Sequence, residues 1–347
     1  LYGLNRIEAT TLSKDVLKPI SVIIAARNEN SNLGINLPKI LSQNYPEFEV
    51  IVVNDRSIDR SADTLRELSQ KFQNLRVIEV RDEPTGAPKK NALSLGISSA
   101  SFEHLAFTDA DCAPINADWL RRIGTKFSDG SELVLGSGFF LPEKGLVNSL
   151  YRLESARIAA LYFSSAWFGL PYMGVGRSMA YTKSAYERVN GFAEHAHVLS
   201  GDDDLMVQSL KGKVRIGLAP DAATLSRTPL SLHAWFSQKA RHLSTGKSYP
   251  KSVLSLLGVY EFSNAIMTTT FLVCLLFASS TFILLASVLL YLRYFLFRSL
   301  LARLDSFLPK EYHHANLFLN DFILSILNPL FSMAAIWKNP SEWKKTI

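Results

Sequence analysis

The chain has 347 residues, 48% hydrophobic and 20% charged, with 37 basic against 31 acidic side chains and a formal net charge of +6. That length suits one large α/β domain with an appendage, and so apolar a composition beside so many charges fits a water-facing part followed by a membrane part. Lysine and arginine are scattered, with no long basic run and no nucleic-acid motif, so no nucleic-acid partner is expected and the charge suits anionic lipid and small anionic ligands.

Only two cysteines occur, Cys112 beside acidic residues and Cys274 inside an apolar run, so no disulfide framework is expected. This agrees with a reducing compartment for the water-facing part. No Cys/His grouping has zinc spacing. Residues 1–19 are expected to form an N-terminal segment following a membrane helix that precedes Leu1.

Residues 20–26, Ile-Ser-Val-Ile-Ile-Ala-Ala, are short, β-branched and continuous, which predicts a buried strand. Arg27-Asn28-Glu29-Asn30 ends it, and a helix is expected from Asn32 to Gln43. Phe48 to Val53 is a second strand, closed by Asn54-Asp55-Arg56-Ser57. The next helix has Ser57 or Asp59 as its cap and Ala62, Leu65 and Leu68 on its inner face. Leu75 to Val80 is a third strand. Pro88 suits the first turn of a helix running to Ser98, and Leu105 to Thr108 is a fourth strand ending at Asp109.

Apolar strands alternating with helices predict a doubly wound, mostly parallel sheet. In such sheets ligands bind beyond the carboxyl ends of the strands. Glu29, Asp55 and the pair Asp109/Asp111 all follow strands, so three carboxylate groups would converge on one edge. Asp and Asn are also ordinary turn residues; three coincidences make that plainer reading the weaker one.

Beyond Gly136 the pattern is mixed. Helices are expected at Ser149–Phe163, Asp202–Leu210 and Ser231–Thr245, and a strand at Met179–Thr182. After Glu261 the character changes. Phe262–Ala278 and Thr281–Leu292 (or Phe297) hold no acidic residue, and each approaches membrane-spanning length. With Ser279-Ser280 as the turn they predict a membrane hairpin over 262–297, which returns Arg298, Arg303 and Lys310 to the side of the water-facing domain, as the positive-inside rule asks. Ala315–Trp337 carries Asn316, Asn320, Asp321 and Asn328-Pro329, which favours an interfacial helix over a third span. A third span would also leave Lys338, Lys344 and Lys345 on the wrong side.

Five motifs then align. Residues 21–29, Ser-Val-Ile-Ile-Ala-Ala-Arg-Asn-Glu, resemble the opening strand of family 2 glycosyltransferases. Val52-Val53-Asn54-Asp55-Arg56-Ser57 resembles their second motif and Thr108-Asp109-Ala110-Asp111 their Asp-x-Asp. Gly201-Asp202-Asp203-Asp204-Leu205 resembles Glu-Asp-x-Asp-Leu, and Gln238-Lys239-Ala240-Arg241-His242 resembles Gln-x-x-Arg-Trp. Each is weak alone; in order over residues 18–248 they are specific. The resemblance implies a GT-A fold over 20–250, a membrane region over 251–347 as in the ceramide glucosyltransferase-like and polysaccharide synthase-like branches, and inverting sugar transfer. Two positions depart: Gly201 replaces the usual Glu, and His242 the usual Trp, which counts against a cellulose-like processive channel.

The resemblance also implies roles. Mg²⁺ or Mn²⁺ takes oxygen ligands and typically one or two carboxylates plus substrate phosphates; Asp111 is assigned to the metal, and Asp109 to the donor and the metal. Asp55 would accept a hydrogen bond from the base or ribose of a UDP- or GDP-sugar, with Ala25, Arg27 and Glu29 lining the pocket. Lys89 or Lys90 would meet the nucleotide at a helix start, and register favours Lys89; a solvated Lys-Lys pair is the plainer alternative. Asp202 is the expected general base, with Asp203 next. Gln238 and Arg241 would contact the diphosphate, and Asp204 would pair with Arg241 or Lys239. Gly176, Arg177, Asp204 and His242 are expected on the acceptor side, where a lipid or glycan would bind at the cytoplasmic face of the cell membrane. The alternatives are a processive synthase, an inactive membrane scaffold, and a nucleotidyltransferase, which would want a glycine-rich basic loop where Ala25-Ala26-Arg27-Asn28-Glu29 stands.

Overall fold

A computed structural model describes residues 2–12, 17–83, 86–229, 231–314 and 317–336. In chain order its elements are α1 (Tyr2–Arg6), β1 (Ile20–Ala26), α2 (Asn30–Leu41), β2 (Phe48–Asp55), α3 (Ser61–Lys71), β3 (Leu75–Val80), α4 (Pro88–Ser99), β4 (His104–Phe107), β5 (Ala113–Pro114), α5 (Trp119–Ser128), β6 (Leu133–Phe140), α6 (Leu146–Trp167), β7 (Met179–Thr182), α7 (Lys183–Arg188), α8 (Asp204–Leu210), β8 (Ile216–Ser226), α9 (Leu232–Thr245), α10 (Lys251–Phe277), α11 (Ser280–Asp305) and α12 (Leu317–Ile336).

The chain divides into two compact units. Among the described residues the sheet unit lies within 6–140 and 161–227, and the helical unit within 2–5, 141–160 and 228–336.

The sheet unit holds eight strands in the order β3-β2-β1-β4-β7-β6-β8-β5. β3, β2, β1 and β4 run parallel to one another. Beyond β4 the sheet is mixed: β7 runs antiparallel to β4 and β6, β8 parallel to β6, and β5 antiparallel to β8. The doubly wound, mostly parallel expectation therefore describes the first half, and the whole is a mixed α/β sheet.

Period-two alternation explains how both faces are covered. Val22, Ile24, Val50 and Val52 turn to one face and share a core with Leu33, Leu37, Leu65, Trp119 and Ile123 of α2, α3 and α5. Ile23 and Val53 turn to the other, where α4 packs so closely that a Cβ on Gly96 would lie 2.6 Å from Ile23 Cγ2. On β8, Asp221 accepts hydrogen bonds from the Thr10 backbone N–H at 2.7 Å and the Thr10 hydroxyl at 2.8 Å, and pairs with Arg122 of α5.

Among the described residues, the helical unit contains two helices long and apolar enough to cross a membrane, Lys251–Phe277 and Ser280–Asp305. α10 begins well before the expected Phe262. α12 is a continuous helix over most of the expected 315–337 segment; 315, 316 and 337 lie outside the described residues, as do Lys338, Lys344 and Lys345. Its polar residues are internal: Asn320, Asp321 and Asn328 are all buried.

Candidate active site

The loops after β1 and β2 are built as one piece. Asn28 and Arg56 both adopt positive φ, at 55° and 52°, a region open to few non-glycine residues. Asn28 N–H donates to Ser57 Oγ at 2.9 Å and Asn28 Oδ1 accepts from Ile58 N–H at 2.9 Å. Glu29 N–H donates to Ser61 Oγ at 2.9 Å, while the buried Glu29 carboxylate accepts from Asn32 Nδ2 at 2.6 Å. Asp59 Oδ1 accepts from Ser61 N–H at 3.0 Å, but the cap position of α3 is Arg60, with no side-chain cap, rather than the expected Ser57 or Asp59.

Asp55 closes β2 and is buried. Its partner is the next residue: Arg56 Nε donates to Oδ1 at 2.8 Å and Nη2 to Oδ2 at 3.2 Å. Arg56 also pairs with Glu83, and the Asp55 hydrogen bonds raise its already high pKa. Motif reading did not single out Arg56 as the group that aligns Asp55. Ala25 is buried in β1, and Arg27 beside it is half-buried.

Asp109 and Asp111 leave the end of β4 in a turn closed by Cys112 N–H donating to Asp109 O at 3.0 Å. One ligand atom each from Asp109, Asp111 and Cys112 lies within 4.8 Å of the others. Burial, then the Asp111 and Asp109 charges, push the Cys112 thiol well up, so it stays protonated. The two carboxylates are the ligands that fit, and two oxygens suit a hard divalent cation. Desolvation by the surrounding protein and the Asp109 charge raise Asp111 above the usual carboxylate value, with Arg177 and Lys89 acting in the opposite sense.

Lys89 joins this pair to Asp202 of the Gly201–Leu205 motif. Its Nζ lies 2.9 Å from Asp109 Oδ1 and 2.9 Å from Asp202 Oδ2. Burial would lower the ammonium pKa, but Asp109, Asp202 and Asp203 together hold it well above its ordinary value. Burial would raise Asp202, but Lys89 keeps it below the usual carboxylate range. A small pocket lies here, lined by Leu93, Phe107, Thr108, Gly176, Met179 and Tyr181 besides Lys89, Asp109 and Asp202.

The neighbours of Asp202 have other work. Asp203 caps α8, accepting from Asp204 N–H at 2.8 Å, and its other oxygen accepts from Gly176 N–H at 2.9 Å. Burial and the Asp202 charge push Asp203 up. Asp204 is half-buried at the start of α8. Arg177 is tied to the sheet: Nη2 donates to Gly138 O at 3.0 Å and Nη1 to Ser226 Oγ at 3.2 Å, with the guanidinium 4.3 Å from the Phe140 ring centroid.

Gln238, Arg241 and His242 belong to α9 in the helical unit. Gln238 Oε1 accepts from Tyr151 OH at 2.9 Å, and His242 is exposed. Lys239 pairs with Glu154 and donates to Asn328 Oδ1 at 2.7 Å, so its partners are Glu154 and Asn328.

Two family models match, "Glycosyl transferase family 2" over residues 21–189 and "Glycosyl transferase family group 2" over 107–332. Among curated proteins, a probable glycosyltransferase of Bacillus subtilis is 25% identical over 65% of this chain and 54% of its own length. A glycosyltransferase of Haloferax volcanii is 35% identical over 38% of this chain and 43% of its own. A poly-β-1,6-N-acetyl-D-glucosamine synthase of Staphylococcus epidermidis is 33% identical over 31% and 25%. The chain thus spans about half the length of the first two relatives. Among solved structures, a mannosyltransferase of Pyrobaculum calidifontis, in complex with GDP-mannose and Mn²⁺, superposes with TM-score 0.57 at 19% identity, covering 95% of this chain and 92% of its own.

Proposed function

The chain belongs to the family 2 glycosyltransferases, and from that membership we propose that it transfers a sugar, with inversion, from a nucleotide-diphosphate sugar to a hydroxyl of a lipid or glycan acceptor at the cytoplasmic membrane face. The observation that carries this reading is the meeting of Asp109, Lys89 and Asp202 on one pocket at the carboxyl end of β4.

Three tasks divide among the residues. Asp55, aligned by Arg56, accepts from the nucleoside, with Ala25, Arg27 and Glu29 beside it. Asp111 and Asp109 would hold a divalent ion, Mg²⁺ or Mn²⁺, which when bound would supply positive charge toward the diphosphate. Lys89 adds a fixed cation on the same side. Asp202 takes the acceptor proton as the acceptor oxygen bonds to the anomeric carbon and the bond to the diphosphate breaks. An ordinary carboxylate is a weak base toward an alcohol, so proton transfer is late and concerted with attack. Asp203 holds Gly176, and Gly176, Arg177 and Asp204 line the acceptor side. Residues 20–250 form the transferase domain, and α10 and α11 the membrane hairpin of region 251–347.

The test is a panel of UDP- and GDP-sugars with Mg²⁺ or Mn²⁺, read as thermal stabilisation of the full chain and release of nucleoside diphosphate. The expected result is metal-dependent stabilisation by one sugar nucleotide, lost in Asp111→Ala. Pyrophosphate as the product would overturn the reading in favour of nucleotidyl transfer, and no stabilisation or release with any donor in favour of a scaffold. The similarity to the Staphylococcus synthase supports a second reading, processive chain synthesis; products longer than one added sugar would select it.

A further inference from the structure

The first turn of α4 carries two consecutive lysines that go to different work. Lys89 reaches the two carboxylates. Lys90, 2% exposed, points elsewhere. Its Nζ donates to His195 O at 2.7 Å and Val198 O at 2.9 Å, and lies 3.2 Å from His195 Nδ1. Three acceptors match the three N–H bonds of an ammonium. The imidazole suits the third place: burial and the Lys90 charge lower the His195 pKa to about 4, so the ring is neutral with Nδ1 free to accept. The carbonyl between these two residues is held as well, since Ala87 N–H donates to Ala196 O at 3.2 Å. The start of α4 thus binds the carbonyls of 195, 196 and 198, where a helix amino terminus favours negative charge.

A buried ammonium is costly to desolvate, so a lysine spent on loop carbonyls needs a reason. The reason lies four residues on. The chain runs from Val198 to Asp202, a span of at most roughly 13–14 Å at full extension, and Asp202 must arrive 2.9 Å from the neighbouring Lys89. Fixing 195–198 to the same helical turn that carries Lys89 fixes where Asp202 is delivered.

We propose that Lys90 is a positioning residue: by binding the carbonyls of His195 and Val198 it fixes the segment that presents Asp202 to Lys89 and Asp109. Its link to catalysis rests on the reading of Asp202 as base; the clamp itself does not.

The experiment compares Lys90→Met, of similar length, with the parent full chain in three measurements: hydrogen exchange of residues 195–204, donor-induced thermal stabilisation, and kcat against donor KM. The expected result is lost protection across 195–204, unchanged donor stabilisation and KM, and kcat lower by about tenfold to a hundredfold, the scale of a misplaced reacting group. A residue needed only for folding would lower stability without splitting kcat from KM. In Lys90→Ala, ethylammonium added to the assay should restore part of kcat. If neither variant folds, Ala87→Pro removes the N–H that binds Ala196 O at a φ of −72° that proline accepts, and the same pattern is expected. Unchanged exchange, or faster exchange with unchanged kcat, overturns the proposal. Full transfer by Asp202→Asn would instead defeat the base reading, leaving the exchange result to judge the clamp.

Discussion

Asp109 and Asp202 share one ammonium group, Lys89 Nζ, at 2.9 Å from each. They come from different motifs, one at the end of β4 and one ahead of α8. Two partly buried carboxylates would otherwise repel each other. Lys89 offsets that repulsion and holds Asp202 below the usual carboxylate range.

Asp202→Asn is expected to lower transfer by about 10²–10⁴-fold, the usual contribution of a positioned base, with donor-induced thermal stabilisation intact. Asn keeps the shape but gives up the carboxylate charge, and with it both the basic oxygen and the ion pair to Lys89. Parent-like turnover would move the base to Asp203, whose oxygens already hold the Asp204 and Gly176 N–H groups.

Lys89→Met should move the pH profile. With Lys89 present, Asp202 lies below the ordinary carboxylate range, so the acidic limb of kcat falls below that range too. Without it, burial dominates and the limb shifts to higher pH. The same sign governs folding: a depressed carboxylate contributes stability above its unfolded-state pKa, lost as pH falls through its folded-state value. Lys89→Met should therefore show a shallower loss of stability on acidification. Identical kcat profiles for parent and variant would show that Asp202 does not depend on Lys89.

The sequence made the first half of the sheet readable because β1, β2 and β4 are continuous apolar runs with acidic or amide residues at their ends. β6 and β8 were missed because their composition argues against strands. β6 carries Gly136 and Gly138, and β8 carries Gly217, Pro220 and Asp221, with a register irregularity between them at Leu135/Ser137. Tertiary demands explain these residues: a Cβ on Gly138 would meet the Arg177 guanidinium at 2.9 Å, and Asp221 is the partner of Arg122 and Thr10. At the site, Lys89 was legible through its motif spacing. The Lys90 clamp was not, because two of its acceptors are backbone carbonyls that carry no residue signature. Lys239, expected near Asp204, pairs with Glu154, a choice set by helix packing that spacing within one motif does not encode.

Gly136→Ala is expected to destabilise the sheet unit. The added Cβ would lie 2.3 Å from Ser178 Oγ and 2.7 Å from both Ala222 O and Ser178 O. Two of these are backbone atoms that cannot step aside, and Ser178 Oγ is fixed by accepting from Trp119 Nε1 at 2.9 Å and donating to Ala222 O at 2.6 Å. Overpacking of this kind costs about 1–3 kcal/mol, read as a lower unfolding midpoint in denaturant. An unchanged midpoint would mean that β6 and β7 separate at this point without cost.

In the helical unit the sharpest test is the pair Arg293 and Asp321. Arg293 of α11 pairs with Asp321 of α12 through two guanidinium nitrogens, and its Nε donates to Asn264 Oδ1 of α10 at 3.0 Å. Asp321 is 2% exposed. The polar load of α12, which by composition alone speaks against an apolar surrounding, is therefore turned inward and paired, while the helix presents Phe318, Leu319, Leu330 and Met333 outward. Asp321→Leu should strand a guanidinium among apolar helices and cost about 3–5 kcal/mol, whereas Arg293→Leu combined with Asp321→Leu removes both charges and should recover most of that loss. Thermal unfolding of the three proteins in one detergent measures the difference. If the single variant is no less stable than the double, Arg293 finds water or another partner without Asp321, and the inward pair is not what holds these three helices together.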